Sequence, residues 1–261
     1  MKPYQKFATV YDKIEADRHS ARMVEYTIKL MLKFRIEAVD ALDLCCGTGT
    51  ALKLLSESGL SMTGLDRSRA MLKQAAAKLK GKGVRLVQAE LPRFRIYGKG
   101  TGERKRLQKF DLVTSFYDSL NYLASEKELK AAFRSVHQHL RPSGCFIFDM
   151  NTPKALRTIW SSQVWGGVKD DVAWIFRNEH DELKAQADCL ATFFLKQGKL
   201  WERFDEKHTE RAYRHSTIKK LLRDSGFRIR GYYRCFSLAK ATDSTDRICV
   251  LAQKPERKRT R

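Results

Sequence analysis

Residues 41–50 read Ala-Leu-Asp-Leu-Cys-Cys-Gly-Thr-Gly-Thr, and the two glycines decide how the rest of the chain is read. Upstream, Ala38, Val39, Ala41, Leu42 and Leu44 form a short apolar run that predicts a strand covered on both faces, as parallel strands are. Downstream, Ala51, Leu52, Leu54 and Leu55 recur at helical spacing. Gly47 and Gly49 permit backbone angles closed to other residues and let a ligand approach the main chain without meeting a side chain. Strand, glycine turn and helix N-terminus is a nucleotide-binding order. A dinucleotide fingerprint, however, requires a third glycine where Leu52 stands, so NAD is disfavoured. A tight turn that binds nothing is the competing reading, and the neighbouring elements have to decide.

The spacing Asp43-x-Cys45-x-Gly47-x-Gly49 resembles the first motif of the class I S-adenosylmethionine (SAM) methyltransferases, an acid followed by alternating glycines. Cys45 departs from that pattern, at a position where the family often carries another small residue. The resemblance implies a cofactor site that includes Asp43, Cys45, Gly47 and Gly49, and it extends to the strands that follow. Residues 61–66 predict a second strand ending in Asp66, where a carboxylate can accept hydrogen bonds from both hydroxyls of an adenosyl ribose. The other reading of Asp66 is an N-cap for the helix carrying Ala70, Met71, Leu72 and Ala75, a task Ser68 can take instead. Residues 84–90 predict a third strand ending in Glu90, which matches the family position that meets the adenine amino group. Met71 and Leu91 fall on the cofactor side by the same resemblance.

Before this core, Phe7, Val10, Tyr11 and Ile14 form an i, i+3, i+4, i+7 stripe that predicts an amphipathic helix over residues 4–17. The phrase Phe-Ala-Thr-Val-Tyr-Asp at 7–12 is similar to the opening of many small-molecule methyltransferases, where this segment closes over SAM and the acceptor. Tyr11 is therefore a lid residue by resemblance, or else an aromatic that packs the helix down. A second helix is expected over 19–34. After the third strand, residues 110–115 predict a fourth, followed by Phe-Tyr-Asp-Ser-Leu-Asn-Tyr-Leu at 116–123. That run stands where open α/β sheets place ligands, and the resemblance puts Tyr117 and Asp118 beside the methyl group. A helix over 126–140, a turn at 141–144 and a strand over 145–149 complete this half. His137 and His139, two apart on a helix, point away from each other, which argues against a metal pair.

Residues 153–213 change character, with four tryptophans and clean alternation at Ala185, Ala187, Cys189, Ala191, Phe193 and Leu195. They predict a small antiparallel sheet, with a turn at Gln197-Gly198-Lys199. Its end, residues 203–213, resembles the Glu-x-His-x-x-Arg-x-Tyr close of an acceptor lid in one bacterial branch of the family. His208 is then a catalytic or acceptor-binding residue or a hydrogen-bonded structural one, and Arg211 and Tyr213 suit an anionic acceptor. Strand alternation puts His208 and Arg211 on opposite faces. A helix over 216–225 capped by Gly226 and strands over 227–238 and 245–253 finish the chain. The expected fold is α/β: a seven-stranded Rossmann-like methyltransferase sheet with helices on both faces and an antiparallel insert after the fifth strand. The expected division is a SAM-binding core at 1–152 and 214–253, a lid at 153–213 and a basic tail at 254–261.

The chain has 261 residues, 43% hydrophobic and 31% charged, enough for one large soluble α/β domain. Residues 1–20 lack an apolar core, against a signal peptide, and no apolar run reaches membrane-spanning length. Six cysteines without a Cys-x-x-Cys pair suit a reducing cytoplasmic compartment. A net charge of +21 favours anionic partners. Residues 93–109 hold seven basic residues and one acid, and residues 254–261 hold five and one. The leading expectation is transfer of a methyl group from SAM to a nitrogen or oxygen of a small molecule, with Tyr11, Tyr117, Asp118 and His208 positioning or deprotonating it. RNA methylation through the basic segments, or SAM binding without catalysis, are the other readings.

Overall fold

The computed structural model describes residues 4–98 and 106–256. Its main sheet contains β1 (Asp40–Leu44), β2 (Ser61–Asp66), β3 (Arg85–Gln88), β4 (Phe110–Ser115), β5 (Leu140–Asn151), β10 (Arg228–Arg234) and β11 (Arg247–Gln253). The strand order is β10-β11-β5-β4-β1-β2-β3. β11 alone runs antiparallel to its neighbours, while β1, β2, β3, β4 and β5 are mutually parallel. The helices are α1 (Arg18–Phe34), α2 (Thr50–Glu57), α3 (Arg69–Lys78), α4 (Glu126–His139), α5 (Pro153–Thr158) and α6 (His215–Asp224).

Strand alternation sends successive side chains to two separate cores. Leu42, Val113, Phe146, Phe148 and Val250 pack with Phe133 of α4 and Leu222 of α6. Ala41, Leu112, Ile147 and Leu251 face the other way, onto Met23 and Leu30 of α1, Leu52 of α2 and Ala75 of α3. Both faces are thus covered, as the continuous apolar runs of the sequence require.

The insert forms a second, four-stranded antiparallel sheet of β6 (Val164–Lys169), β7 (Val172–Asp181), β8 (Gln186–Gln197) and β9 (Leu200–Arg211). Its inner face contributes Val172, Phe176, Ala191, Phe193 and Phe204 to a third core, whose other wall is Phe7 and Val10 of the N-terminal segment.

Several expectations are corrected. Residues 4–17 form no α-helix: a 3-10 turn at Phe7–Thr9 is followed by irregular turns, with Glu15 at a φ of 61°. The reason lies across the fold, where the Glu206 carboxylate of β9 accepts the backbone N–H groups of Tyr4, Gln5 and Phe7 and fixes them in a non-α arrangement. The apolar stripe is real, but it is used by this short form. Val39 is 68% exposed because β1 starts one residue later. The turn at 141–144 lies inside β5 as an irregularity, with Ser143 at a φ of 63° and a register shift against β4. Helix α5, capped by Thr152 with Pro153 in its first turn, has no counterpart in the sequence reading.

Residues 99–105, the middle of the basic segment, lie outside the described residues. Its described flank is packed, with Phe94 and Ile96 buried in the core and the Ile96 N–H bonded to His139 Nε2. His139 Nδ1 meets Ser135 O, so both its ring nitrogens serve the fold. Residues 257–261 of the tail are likewise outside the described residues.

Candidate active site

A cavity of about 290 Å³ opens at the carboxyl ends of the parallel strands, the place where open α/β sheets bind ligands. Cys45, Gly47 and Thr48 form one wall after β1, and Asp66 with Arg67 another after β2. Glu90, Leu91 and Pro92 follow β3, and Tyr117, Ser119 and Tyr122 follow β4. Tyr4, Tyr11 and Asp17 of the N-terminal segment and Met71 of α3 complete the enclosure.

The turn after β1 is built for close approach. Cys45 and Gly47 sit at φ 55° and 54° in the left-handed region, and a Cβ added at Gly47 would meet nothing within 4 Å. The left-handed Cys45 backbone is a conformation that glycine adopts without strain and cysteine does not. Gly49, at φ 82°, has a different use: an added Cβ would lie 3.0 Å from Leu79 Cδ1 and 3.1 Å from Ala75 Cβ. It seats the start of α2 against α3 and does not line the cavity.

Asp66 is buried at the end of β2. Its Oδ2 accepts the Gly47 N–H at 2.9 Å and its Oδ1 the Ser68 N–H at 2.8 Å. Ser68 caps α3 through Met71 N, so Asp66 has no capping duty. A carboxylate has about four acceptor positions, so these N–H groups leave capacity for a ligand. Burial pushes the Asp66 carboxyl up from its ordinary range, and the Ser68 and Gly47 N–H groups draw it back. Glu90 stands at the cavity rim, 3.4 Å from Arg67.

A chain of hydroxyls crosses the roof. The Tyr4 and Tyr122 hydroxyls are 2.7 Å apart, and the Tyr122 hydroxyl is 2.9 Å from His208 Nδ1. Local sequence patterns do not reveal this chain, because its successive members are 118 and 86 positions apart and belong to different elements. His208 is buried behind the tyrosines, its Nε2 has no hydrogen-bond partner among the described residues, and it stands 3.9 Å from Glu206. Burial, reinforced by the Arg67 charge, lowers its pKa to about 4 against the opposing pull of Asp118, so it is neutral at pH 7.

Other sequence-predicted residues are not at the cavity wall. Asp43 is buried one layer below, accepting from Thr114 Oγ1 at 2.7 Å, and burial pushes its carboxyl up to about 7. Asp118 points into a buried network, where Arg247 reaches it at 3.0 Å and Asn151 Nδ2 at 2.9 Å. Arg211 donates to the Ala124 carbonyl, and the buried Tyr213 hydroxyl donates to the Leu123 carbonyl. Both fasten the end of β9 to the loop after β4. Tyr117 and Tyr11 do reach the cavity, as do Cys45, Gly47, Asp66, Met71, Glu90 and Leu91.

The seven-stranded order with its one antiparallel strand, the glycine turn and the acid at the end of β2 define a class I methyltransferase architecture. The methyltransferase domain model matches residues 41–144. The crystal structure of a SAM-dependent methyltransferase from Clostridium acetobutylicum ATCC 824 superposes with a TM-score of 0.82 at 30% identity, over 97% of this chain and 100% of that one. The chain belongs to the S-adenosylmethionine-dependent methyltransferases, and SAM is its methyl donor. The Bacillus subtilis protein YqeM is 28% identical over 96% of this chain and 97% of its own length. The dTDP-3-amino-3,4,6-trideoxy-alpha-D-glucopyranose N,N-dimethyltransferase of Streptomyces venezuelae is 26% identical over 74% of this chain and 77% of its own. Among the described residues no helix is long and apolar enough to cross a membrane.

Proposed function

We propose that this enzyme methylates a nitrogen or oxygen of a small molecule. The observation that carries this reading is the enclosure of the cavity. Tyr4, Tyr11 and Tyr122 cover it from above, and behind them Glu206 of β9 holds the N-terminal segment while His208 holds the Tyr122 hydroxyl. A polymer would have to displace that roof before reaching the carboxyl end of β4. The amino-sugar acceptor named for the Streptomyces venezuelae relative supports the same class.

In this reading the spare acceptor positions of Asp66 hold the ribose hydroxyls, Glu90 accepts from the adenine amine, and Met71 and Leu91 flank the adenine ring. Main-chain groups of the 45–48 turn hold the amino-acid end. SAM supplies an electrophilic methyl on a positively charged sulfur. The chain's own contribution is orientation: holding the acceptor at near-attack distance is worth roughly 7–11 kcal/mol. Tyr122 and Tyr4 orient the acceptor through their hydroxyls, and the neutral His208 Nδ1 fixes the Tyr122 hydroxyl in turn. Tyr117 orders the wall beside the reacting groups, and residues 153–213 act as the lid on that side.

The test is methyl transfer from labelled SAM to separated metabolite and RNA fractions. Label in a small-molecule fraction, reduced in Tyr122→Phe with SAM affinity unchanged, is the expected result. Label confined to RNA would overturn the small-molecule reading, and label in neither would favour a SAM-binding protein without transferase activity.

A further inference from the structure

Tyr117 and Asp118 stand in the loop after β4, and neither is glycine. Both are nonetheless left-handed, Tyr117 at a φ of 57° and Asp118 at 51°. Residues with a side chain seldom adopt this conformation, and two in succession persist only where the surrounding contacts over-determine them.

Those contacts come from the two strands beyond β4 in the sheet. Asp149, near the end of β5 and with a fully buried side chain, accepts the Tyr117 N–H on Oδ1 at 2.7 Å. Its Oδ2 meets Arg247 of β11 at 2.5 Å and His19 Nε2 at 3.0 Å. The same Arg247 Nη1 donates to Asp118 Oδ1 at 3.0 Å. One guanidinium nitrogen thus joins the carboxylate that holds the Tyr117 main chain to the side chain of the next residue. The ring is gripped as well: His19 stacks on Tyr117 with centroids 4.7 Å apart and planes 18° from parallel, and the Arg247 guanidinium lies 5.7 Å from the Tyr117 ring centre. The residue fastened in these three ways lines the cofactor cavity.

Stability of the fold is a weak reason for such a cluster. The attraction within a buried ion pair does little more than offset its desolvation, and apolar side chains of similar volume commonly stabilise as well. Position is the stronger reason. In the order β5-β4-β1-β2-β3, Tyr117 follows β4 on one flank of the glycine turn, whereas Asp66 ends β2 and Glu90 follows β3 on the other. A nucleoside held by Asp66 leaves the Tyr117 flank to the sulfonium and amino-acid end of SAM.

We propose that Arg247 and Asp149 are positioning residues for the cofactor: they hold Tyr117 in its left-handed conformation, and with it the wall that receives the sulfonium end. This rests on the placement of the nucleoside against Asp66. The test is calorimetric titration of the full-length protein with SAM and, separately, with adenosine, for wild type, Arg247→Met, Arg247→Lys, Tyr117→Ala and each Arg247 variant combined with Tyr117→Ala. SAM affinity should fall about tenfold in Arg247→Met and about threefold in Arg247→Lys, whose ammonium keeps the charge but not the planar fork. Adenosine affinity should stay within about twofold of wild type in both. On the Tyr117→Ala background either Arg247 substitution should cost less than about twofold further, because the ring it holds is gone. Unchanged SAM affinity in Arg247→Met would overturn the proposal. So would equal losses of SAM and adenosine in a folded variant, the mark of a purely structural role, or losses that simply add to that of Tyr117→Ala. Should circular dichroism show Arg247→Met unfolded, Arg247→Lys decides on the same criteria. Asp66→Ala separates the two readings: adenosine affinity retained in that variant would refute the nucleoside placement, while the coupling of Tyr117 to Arg247 is still read from SAM alone.

Discussion

Asp66 illustrates how one side chain serves fold and ligand together. It accepts the Gly47 and Ser68 N–H groups, and so shapes the turn, while keeping acceptor capacity for a ligand. Asp66→Ala should weaken SAM binding by at least tenfold, because each hydrogen bond to a charged acceptor is worth about 1.5–3 kcal/mol. Calorimetry checks it, and unchanged affinity would remove Asp66 from the site. The two motif glycines should behave differently. Gly49→Ala forces a Cβ against Leu79 and Ala75 at positive φ and should cost about 1–3 kcal/mol of stability in a denaturant titration. Gly47→Ala meets no neighbour and carries only the positive-φ strain, so it should cost less stability than Gly49→Ala while weakening SAM affinity.

Between elements, two carboxylates of β9 do opposite jobs. Glu206 accepts three N–H groups from residues 4–7 and ties the N-terminal segment to the small sheet. Glu206→Ala should release it at a cost of about 2 kcal/mol. Faster amide exchange confined to residues 4–17, with the main sheet unchanged, is the expected signature.

Glu210 lies on the same face, and Asn151 Nδ2 bridges it to Asp118 at 2.9 Å on each side. Burial first, then the Asp118 charge and a hydrogen bond shared with it, raise the Glu210 pKa well above the carboxylate range, with Asn151 and Arg247 opposing. The unfolded chain releases this proton near the ordinary glutamate value while the folded chain keeps it. The unfolded state therefore binds fewer protons, and stability falls as pH rises from that value toward the folded pKa. Glu210→Gln should flatten this alkaline slope and be at least as stable as wild type near pH 8. A denaturation series across pH measures it, and a slope identical to wild type would exclude a shared proton. Asp149 has the opposite sign: burial pushes it up, but Arg247 and His19 outweigh burial and hold it low, so its contribution is lost as pH falls through its folded pKa.

At the scale of the molecule, the charge of +21 predicts RNA binding whether or not RNA is the acceptor. Binding to a single strand should weaken with salt, with a slope near −0.7 per neutralised phosphate. Neutralising Arg104, Lys105 and Arg106, the first two outside the described residues, should flatten that slope while methyl transfer to a small molecule persists. Loss of both in parallel, measured by filter binding and label transfer, would favour an RNA acceptor.

What the sequence determined by itself was local and periodic. The limits of β2 and β4, the helices α1 and α4, the glycine turn and the alternating strands of the insert follow from side-chain spacing and turn chemistry within a few residues. The positions of Asp66 at the end of β2 and of Glu90 just past β3, which ends at Gln88 and not at residue 90 as expected, follow from local strand patterns. Only the tertiary structure decided the rest, for a physical reason: a buried polar group takes its role from partners that the sequence leaves far away. Residues 4–17 carry a helical stripe, yet Glu206, about 200 positions on, supplies acceptors that a helix would not use. Asp43 and Asp118 belong to residue types and positions that suggest ligand contact, yet Thr114, Asn151 and Arg247 engage them within the protein. Tyr4, Tyr122 and His208 are unremarkable apart and form one hydrogen-bonded line only where the small sheet, the N-terminal segment and the loop after β4 converge.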